Sequence, residues 1–201
     1  MKKRGWEELD FLVISGDAYV DHPSFGHAII SRWLEKLGFR VGIIAQPDWR
    51  STEDFKKMGR PRLGVMVTAG NLDSMLNHYT ASGKKRKTDP YSPGGAAGLR
   101  PDRATIVYCN RVRELWKEIP LIIGGIEASL RRMAHYDYWG NDVRRSILAD
   151  SRADLLVFGM GELPVTEIVH ALSQGREVSQ IRDVPGTCWK THDPANAADA
   201  V

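Results

Sequence analysis

Four groups of small and polar residues in this chain have the types and spacing to do chemistry. They are Ser15, Gly16 and Asp17, with His22 further on; Thr68, Gly70 and Asn71; Gly124, Gly125 and Glu127; and Gly161 with Glu162. Each group follows an apolar run, which places it where a strand gives way to a helix. Free backbone amides at such turns favour phosphate or carboxylate groups, and glycine lets a ligand come close to the backbone. Tight α/β turns need glycine in any case, so both readings stay open at this point. His22, in Asp21-His22-Pro23-Ser24-Phe25-Gly26, has the chemistry of an acid–base group or a metal ligand. A loop histidine more often bonds backbone, and Ser24 is placed to cap the helix that follows.

A further set of residues is basic or aromatic. Lys84, Lys85, Arg86 and Lys87 form one run, and Arg131, Arg132, Arg144 and Arg145 bracket Tyr136, Tyr138 and Trp139. Bases interleaved with rings suit single-stranded nucleic acid. The plainer reading is a solvated face, with the rings packed over the sheet edge or under another domain. On that reading nucleic acid is not an expected partner. Several chemistries are poorly supported. No G-x-G-x-x-G follows a strand and no G-x-x-x-x-G-K-[ST] occurs, so dinucleotide binding and nucleotide hydrolysis lack their fingerprints. The six histidines form no H-E-x-x-H or H-x-x-x-H pair, which argues against zinc. Cys109 and Cys188 are too few for a disulfide framework or a thiolate metal site, and Cys109 reads as core.

The elements that must position these groups alternate in type. Apolar, β-branched runs at 11–14, 39–45, 63–68, 120–123 and 153–158 read as strands. Helical spacing follows at 29–37, with Gly38 as its stop, then at 51–58 from Ser51 or Thr52, and at 72–79. Further helices are expected at 104–116, after the start signal Pro101-Asp102, and at 163–172, ended by Gly175. Two stretches interrupt the alternation. Residues 81–103 hold three prolines and four glycines and read as a long loop. Residues 127–151 are mixed, with helical spacing at 143–148. The alternation predicts a doubly wound, flavodoxin-like α/β sheet of about five parallel strands in the order 2-1-3-4-5, flanked by helices. In such sheets ligands sit beyond the carboxyl ends of the strands, where Asp17, His22 and Glu162 are expected to face a crevice.

The bulk properties agree with one large domain. The chain has 201 residues, 42% of them hydrophobic, and a formal charge of +3, too small to argue for nucleic acid. No segment resembles a signal peptide or a membrane span, so a soluble cytoplasmic protein is expected. Residues 1–180 are expected to form the domain. Residues 181–201, with one more strand and turn at 181–187 and a polar tail from 191, are expected to be a linker or the start of a further domain.

Long strings in the sequence carry a resemblance. SGDAYVDHPSFG at 15–26, TAGNLDSM at 68–75, KKRKTDPYSPGG at 84–95, RPDRATIVYCN at 100–110, IIGGIEASLRRMAHYDYW at 122–139, VRRSIL at 143–148 and ADLLVFGMGE at 153–162 are its parts. From about residue 10 to about 172 the chain resembles the amino-terminal part of the YgiQ-like radical S-adenosylmethionine proteins. It is similar, more distantly, to the cobalamin-binding-type domains that precede many radical S-adenosylmethionine cores. The resemblance implies an accessory domain that shapes or covers the active site of a following catalytic core, its main partner. It implies a [4Fe–4S] cluster and S-adenosylmethionine for the full-length family. Cys-x3-Cys-x2-Cys, which holds that cluster, is absent here, so no catalytic or metal residue is assigned to this chain. D-x-H-x-x-G, the signature of histidine-ligated cobalamin, is also not met: Asp21 and His22 are adjacent, and three residues separate His22 from Gly26. A small-ligand or cobalamin-binding module is the alternative role, and an RNA-binding adaptor working through the basic insertion is a second.

Anaerobic reconstitution of this chain with iron and sulfide should give no [4Fe–4S] absorption band. A stoichiometric band would overturn the assignment of the cluster elsewhere.

Overall fold

The computed structural model describes residues 2–191; of the tail expected to be a linker, residues 192–201 lie outside the described residues. In chain order the elements are β1 (Phe11–Ser15), α1 (Gly26–Lys36), β2 (Val41–Ala45), α2 (Glu53–Lys56) and β3 (Gly64–Thr68). After them come α3 (Ser74–His78), α4 (Ala104–Leu115), β4 (Leu121–Gly124), α5 (Gly125–Leu130), β5 (His135–Asp137) and β6 (Asp142–Arg144). The chain continues through α6 (Ile147–Asp150), β7 (Leu155–Val157), α7 (Glu162–Ser173) and β8 (Thr187–Trp189). The main sheet has six strands in the order β2-β1-β3-β4-β7-β8. Its first five strands are parallel and reproduce the expected 2-1-3-4-5 order. β8 adds an antiparallel edge, pairing Thr187 with Val157 and Trp189 with Leu155.

The pattern of apolar residues explains the layers. All five residues of β1 are buried, as a central strand covered on both faces requires. Leu12, Ile14, Val65, Val67, Leu121 and Ile123 turn to one face, where they meet Phe55, Tyr108, Cys109 and Val112. Phe11, Val13, Met66, Ile122 and Val157 turn to the other, against Leu34, Ile168, Val169 and Leu172. Helices α2 and α4 therefore cover one side, while α1 and α7 cover the other. Gly38 and Gly175, both at positive φ, stop α1 and α7 where the sequence places the stops.

Three local expectations are corrected. Residues 143–148 are not one helix: Asp142–Arg144 pairs with His135–Asp137 as a hairpin, and a short helix begins only at Ile147. The apolar spacing there serves two different surfaces. Ser24 does not cap α1, whose N-cap is Phe25 with no side-chain bond. The β7–β8 pairing places the last strand at Thr187–Trp189, starting only at the end of the expected strand and turn 181–187, because Ile181 and Val184 instead anchor in the core.

At the amino ends of the strands, Asp10 fastens three of them together. Its carboxylate accepts from Arg40 N (2.8 Å), Arg40 Nη2 (2.9 Å) and Arg62 Nε (2.9 Å). Burial alone raises the Asp10 carboxyl, but the bonds from Arg40 and Arg62 outweigh it and bring it to about 2. The unfolded carboxyl titrates at its ordinary 3.8, so between those values the unfolded chain binds more protons. The stabilisation is complete above that window and is lost as pH falls through it. Urea midpoints measured from about pH 4 down to about pH 2 should fall less steeply for Asp10→Asn than for the native chain. Equal slopes would remove Asp10 from the account.

Candidate functional site

The carboxyl ends of the parallel strands form two adjoining features, one apolar and open, the other ionic and closed. The open one is a crevice of about 330 Å³ between the sheet and helices α1 and α7. Its floor is Val13, Met66, Ile122 and Val157, and its walls include Ile29, Ile30, Ile126 and Val165. Of the expected site residues, Thr68, Gly70, Asn71, Gly124, Gly125, Gly161 and Glu162 line it. The backbone explains several of them. Gly125 has φ +84°, and a Cβ there would lie 2.4 Å from Thr68 Oγ1. Thr68 Oγ1 in turn accepts from Gly70 N at 3.2 Å, which fixes the turn after β3 beside Gly125. Glu162 opens α7, where a carboxylate suits the helix N-terminus.

The closed feature holds Asp17. Its side chain is fully buried and does not line the crevice. Arg100, from the long insertion and itself fully buried, donates through Nη1 to Asp17 Oδ1 (2.8 Å) and to Ala69 O (2.8 Å). Nη2 donates to Asp89 Oδ1 (3.1 Å) and Oδ2 (2.9 Å). Asn71 N gives Asp17 Oδ2 a further bond of 2.7 Å. Burial pushes the Asp17 carboxyl above its ordinary value, against the downward pull of Asn71 and Arg100. Asp89 ends below its ordinary value, because its polar and cationic neighbours outweigh burial. Two glycines are required for this packing: a Cβ on Gly70 would lie 2.0 Å from Asp17 Oδ1, and one on Gly16 would lie 2.2 Å from Ala69 O.

The remaining expected residues have structural positions. Glu127 is buried and accepts from Ser74 N (2.8 Å), Ser74 Oγ (2.6 Å) and Thr105 N (3.0 Å), joining the starts of α3 and α4. Arg103, the N-cap of α4, has no side-chain capping bond, so Glu127 supplies the charge that this helix end calls for. His22 is exposed, and its Nδ1 accepts from Ser24 N at 3.1 Å, the ordinary role of a loop histidine. Ser15 is buried, with its Oγ 3.1 Å from His27 Nδ1. Asp17 N donates to the same Oγ (3.2 Å), so the hydroxyl ties the turn after β1 to the first turn of α1. His27, missed in the sequence, borders the crevice, and burial lowers its pKa so that it stays neutral.

Among the described residues no group of three or more His, Cys, Asp or Glu side chains is arranged to hold a metal ion. Cys109 is buried in α4 and Cys188 lies on β8, with burial raising both thiols.

The family model described as Radical SAM N-terminal matches residues 1–201. A UPF0313 protein of Clostridium botulinum (strain Loch Maree / Type A3) is 60% identical over all of this chain, which spans 31% of that relative. A UPF0313 protein of Clostridium perfringens (strain SM101 / Type A) is 62% identical over 94% of this chain and 28% of its own length. The chain thus spans about a third of the length of the curated relatives it matches. Two structures of TsrM from Kitasatospora setae, a radical S-adenosylmethionine methyltransferase, share the fold. One has tryptophan and an S-adenosylmethionine analogue bound: TM-score 0.57 and 20% identity over 90% of this chain and 28% of TsrM. The other has cobalamin and a [4Fe-4S] cluster bound: TM-score 0.56 and 19% identity over 90% of this chain and 29% of TsrM.

Arg100→Met should cost about 3–5 kcal/mol in urea unfolding, because it leaves two buried carboxylates without their cation. Adding Asp17→Asn to that variant should recover part of the loss. A loss below about 1 kcal/mol, the range of an exposed ion pair, would show that the bridge is not what holds the insertion.

Proposed function

The chain belongs to the radical SAM N-terminal family, and we propose that it serves as the accessory amino-terminal region of a larger, cytoplasmic radical SAM protein. Its part is to present the strand-end turns to a catalytic core carried by the remaining length, shaping or covering that core's active site. One observation carries this reading: the turns after β3, β4 and β7 expose Leu72, Ile126, Met160 and Leu163 around the crevice, the last two 81% and 75% exposed. Large apolar side chains grouped at one edge mark a surface that another body covers. The chain spans about a third of the length of its curated relatives, so the remaining length of the longer protein is the partner proposed for that rim.

The thiols of this chain do not fit an iron–sulfur cluster, since Cys109 is sealed in the core and Cys188 stands apart on an edge strand. In this reading the cluster and S-adenosylmethionine belong to the core. The crevice favours a second reading, as a small-ligand pocket. Its lining contains no Lys or Arg, which suits a neutral, apolar group. A corrin ligated through histidine does not fit, because His22 is outside the crevice and His27 is tied to Ser15. Heat on titrating cobalamin into this chain would favour the second reading, and its absence would leave the docking role.

The docking role predicts a difference in hydrogen exchange. Amides of residues 70–76, 126–130 and 159–163 should exchange on the order of tenfold more slowly in the longer protein than in this chain alone. Met160→Glu with Leu163→Glu should abolish that difference without unfolding the chain, since both side chains are exposed in it. Equal exchange in the two native proteins would rule the docking face out.

A further inference from the structure

The two insertions are distant in sequence, and the structure joins them. Tyr79 and Lys85 pair across a short antiparallel bridge, and Thr80 N donates to Lys84 O at 2.9 Å, so the basic run leaves a hairpin. Tyr138, from the turn between β5 and β6, donates its hydroxyl to Ala81 O at the tip of that hairpin (2.8 Å). Its neighbour Trp139 lies 5.2 Å from the Tyr79 ring at an interplanar angle of 38°, and 5.2 Å from the Tyr138 ring at 84°. Lys85 Nζ approaches the Tyr79 ring at 6.0 Å. Arg103, at the end of the first insertion, pairs with Asp137 in the second.

Charge and exposure single out this surface. Lys84, Lys85, Arg86 and Lys87 are all exposed, and among the described residues none of them forms an ion pair. Arg86 is fixed in place by donating from Nε to Leu76 O (3.4 Å) and from N to His78 O (2.7 Å). The acids nearby are largely committed: Asp102 binds His78 and Tyr79, Asp137 binds Arg103 and Arg144, and Asp150 binds Arg144 and Arg145. Tyr136 and Tyr138 are each 59% exposed; Tyr136 is held by its place in β5 and by donating to Asn141 Oδ1, and Tyr138 by its bond to Ala81 O. The surface therefore combines exposed cations outside ion pairs, of which Lys85 alone also feels the charge of Asp102, with rings held in fixed positions.

We propose that this surface binds single-stranded nucleic acid, with phosphates on the 84–87 run and an unstacked base on Tyr138. The proposal is independent of the docking role of the crevice rim. A duplex offers no free base face to the ring, and an acidic peptide offers the cations charge but gives the rings nothing to stack on. Backbone charge and base stacking are the two components that sequence-tolerant single-strand binding requires.

Fluorescence anisotropy of a labelled oligouridylate titrated with the protein tests this, with a duplex RNA of equal length and polyglutamate as competitors. The single strand should bind in preference to both. Its affinity should fall with salt at a log–log slope of about −2 to −3, about 0.7 for each of three to four phosphates. Replacing residues 84–87 by Ala should weaken binding and flatten that slope. Tyr138→Ala should weaken binding roughly tenfold at unchanged slope, since a stacked base carries no counterion. Tyr138→Phe keeps the ring and should retain most of the affinity. Equal binding of duplex or polyglutamate, or full affinity in Tyr138→Ala with an unaltered circular dichroism spectrum, would overturn the proposal.

Discussion

A guanidinium buried without solvent is the constraint on which this end of the molecule depends. A buried charge costs several kcal/mol unless its partners are close and its hydrogen bonds are made. Arg100 meets that demand only when three separate stretches are in place: the turn after β1 with Asp17, the turn after β3 with Ala69, and the insertion with Asp89. The long insertion, rich in Gly and Pro, has little apolar material to hold it. At its buried end the order comes from the cost of leaving Arg100 or either carboxylate unpaired, while Tyr138 and Asp137 hold its two ends. Gly70 and Gly16 follow from the same geometry, since a side chain at either would displace the groups that complete the bridge.

That bridge also decides where open space remains. In a sheet ordered 2-1-3-4-5 the chain reverses direction of winding between β1 and β3, and the gap beyond those two strands is where ligands generally sit. Here Arg100 binds Asp17 after β1 and Ala69 O after β3, so the protein's own insertion fills the gap. The crevice is displaced towards α1 and α7, where its walls are aliphatic. Glu127 closes the neighbouring turn in a similar way, spending its carboxylate on the starts of α3 and α4. The apolar crevice and its apolar rim are thus what remains once Asp17 and Arg100 have been tied to one another and to the turns of this edge, and Glu127 to the starts of α3 and α4.

The same reasoning explains how much could be read from the sequence. The strands and their order were legible because each is a short apolar run bounded by Gly or Pro, and parallel strands covered on both faces leave that trace. The glycines of the crevice were legible for the same reason. Asp17 and Glu127 stand out in the sequence as strand-end carboxylates open to a ligand, because their true partners are remote: Arg100 is 83 positions from Asp17, and Ser74 is 53 positions from Glu127. No local pattern records such a pairing. His22 stands out through its loop composition, while His27, at the second position of α1, has the sequence surroundings of an ordinary helix residue. The β5–β6 hairpin was hidden because three-residue strands are too short to show a period.

The rim and the joined insertions differ in what they can lose to a partner. Leu72, Ile126, Met160 and Leu163 gain by leaving water, at roughly 25 cal/mol for each Å² covered, and they make no demand on the partner beyond shape. The cations at 84–87 are the opposite case. Covering them with a protein face that lacks matching carboxylates would strip their hydration without return. A surface that carries both features is therefore unsuited to one continuous dry interface. An anionic polymer compensates the lysines while leaving them partly hydrated, and its bases can use the fixed rings beside them. The physical chemistry thus divides this end of the molecule in two. One part is an apolar rim suited to a protein core, and the other is a basic, aromatic face that such a core would have reason to leave exposed.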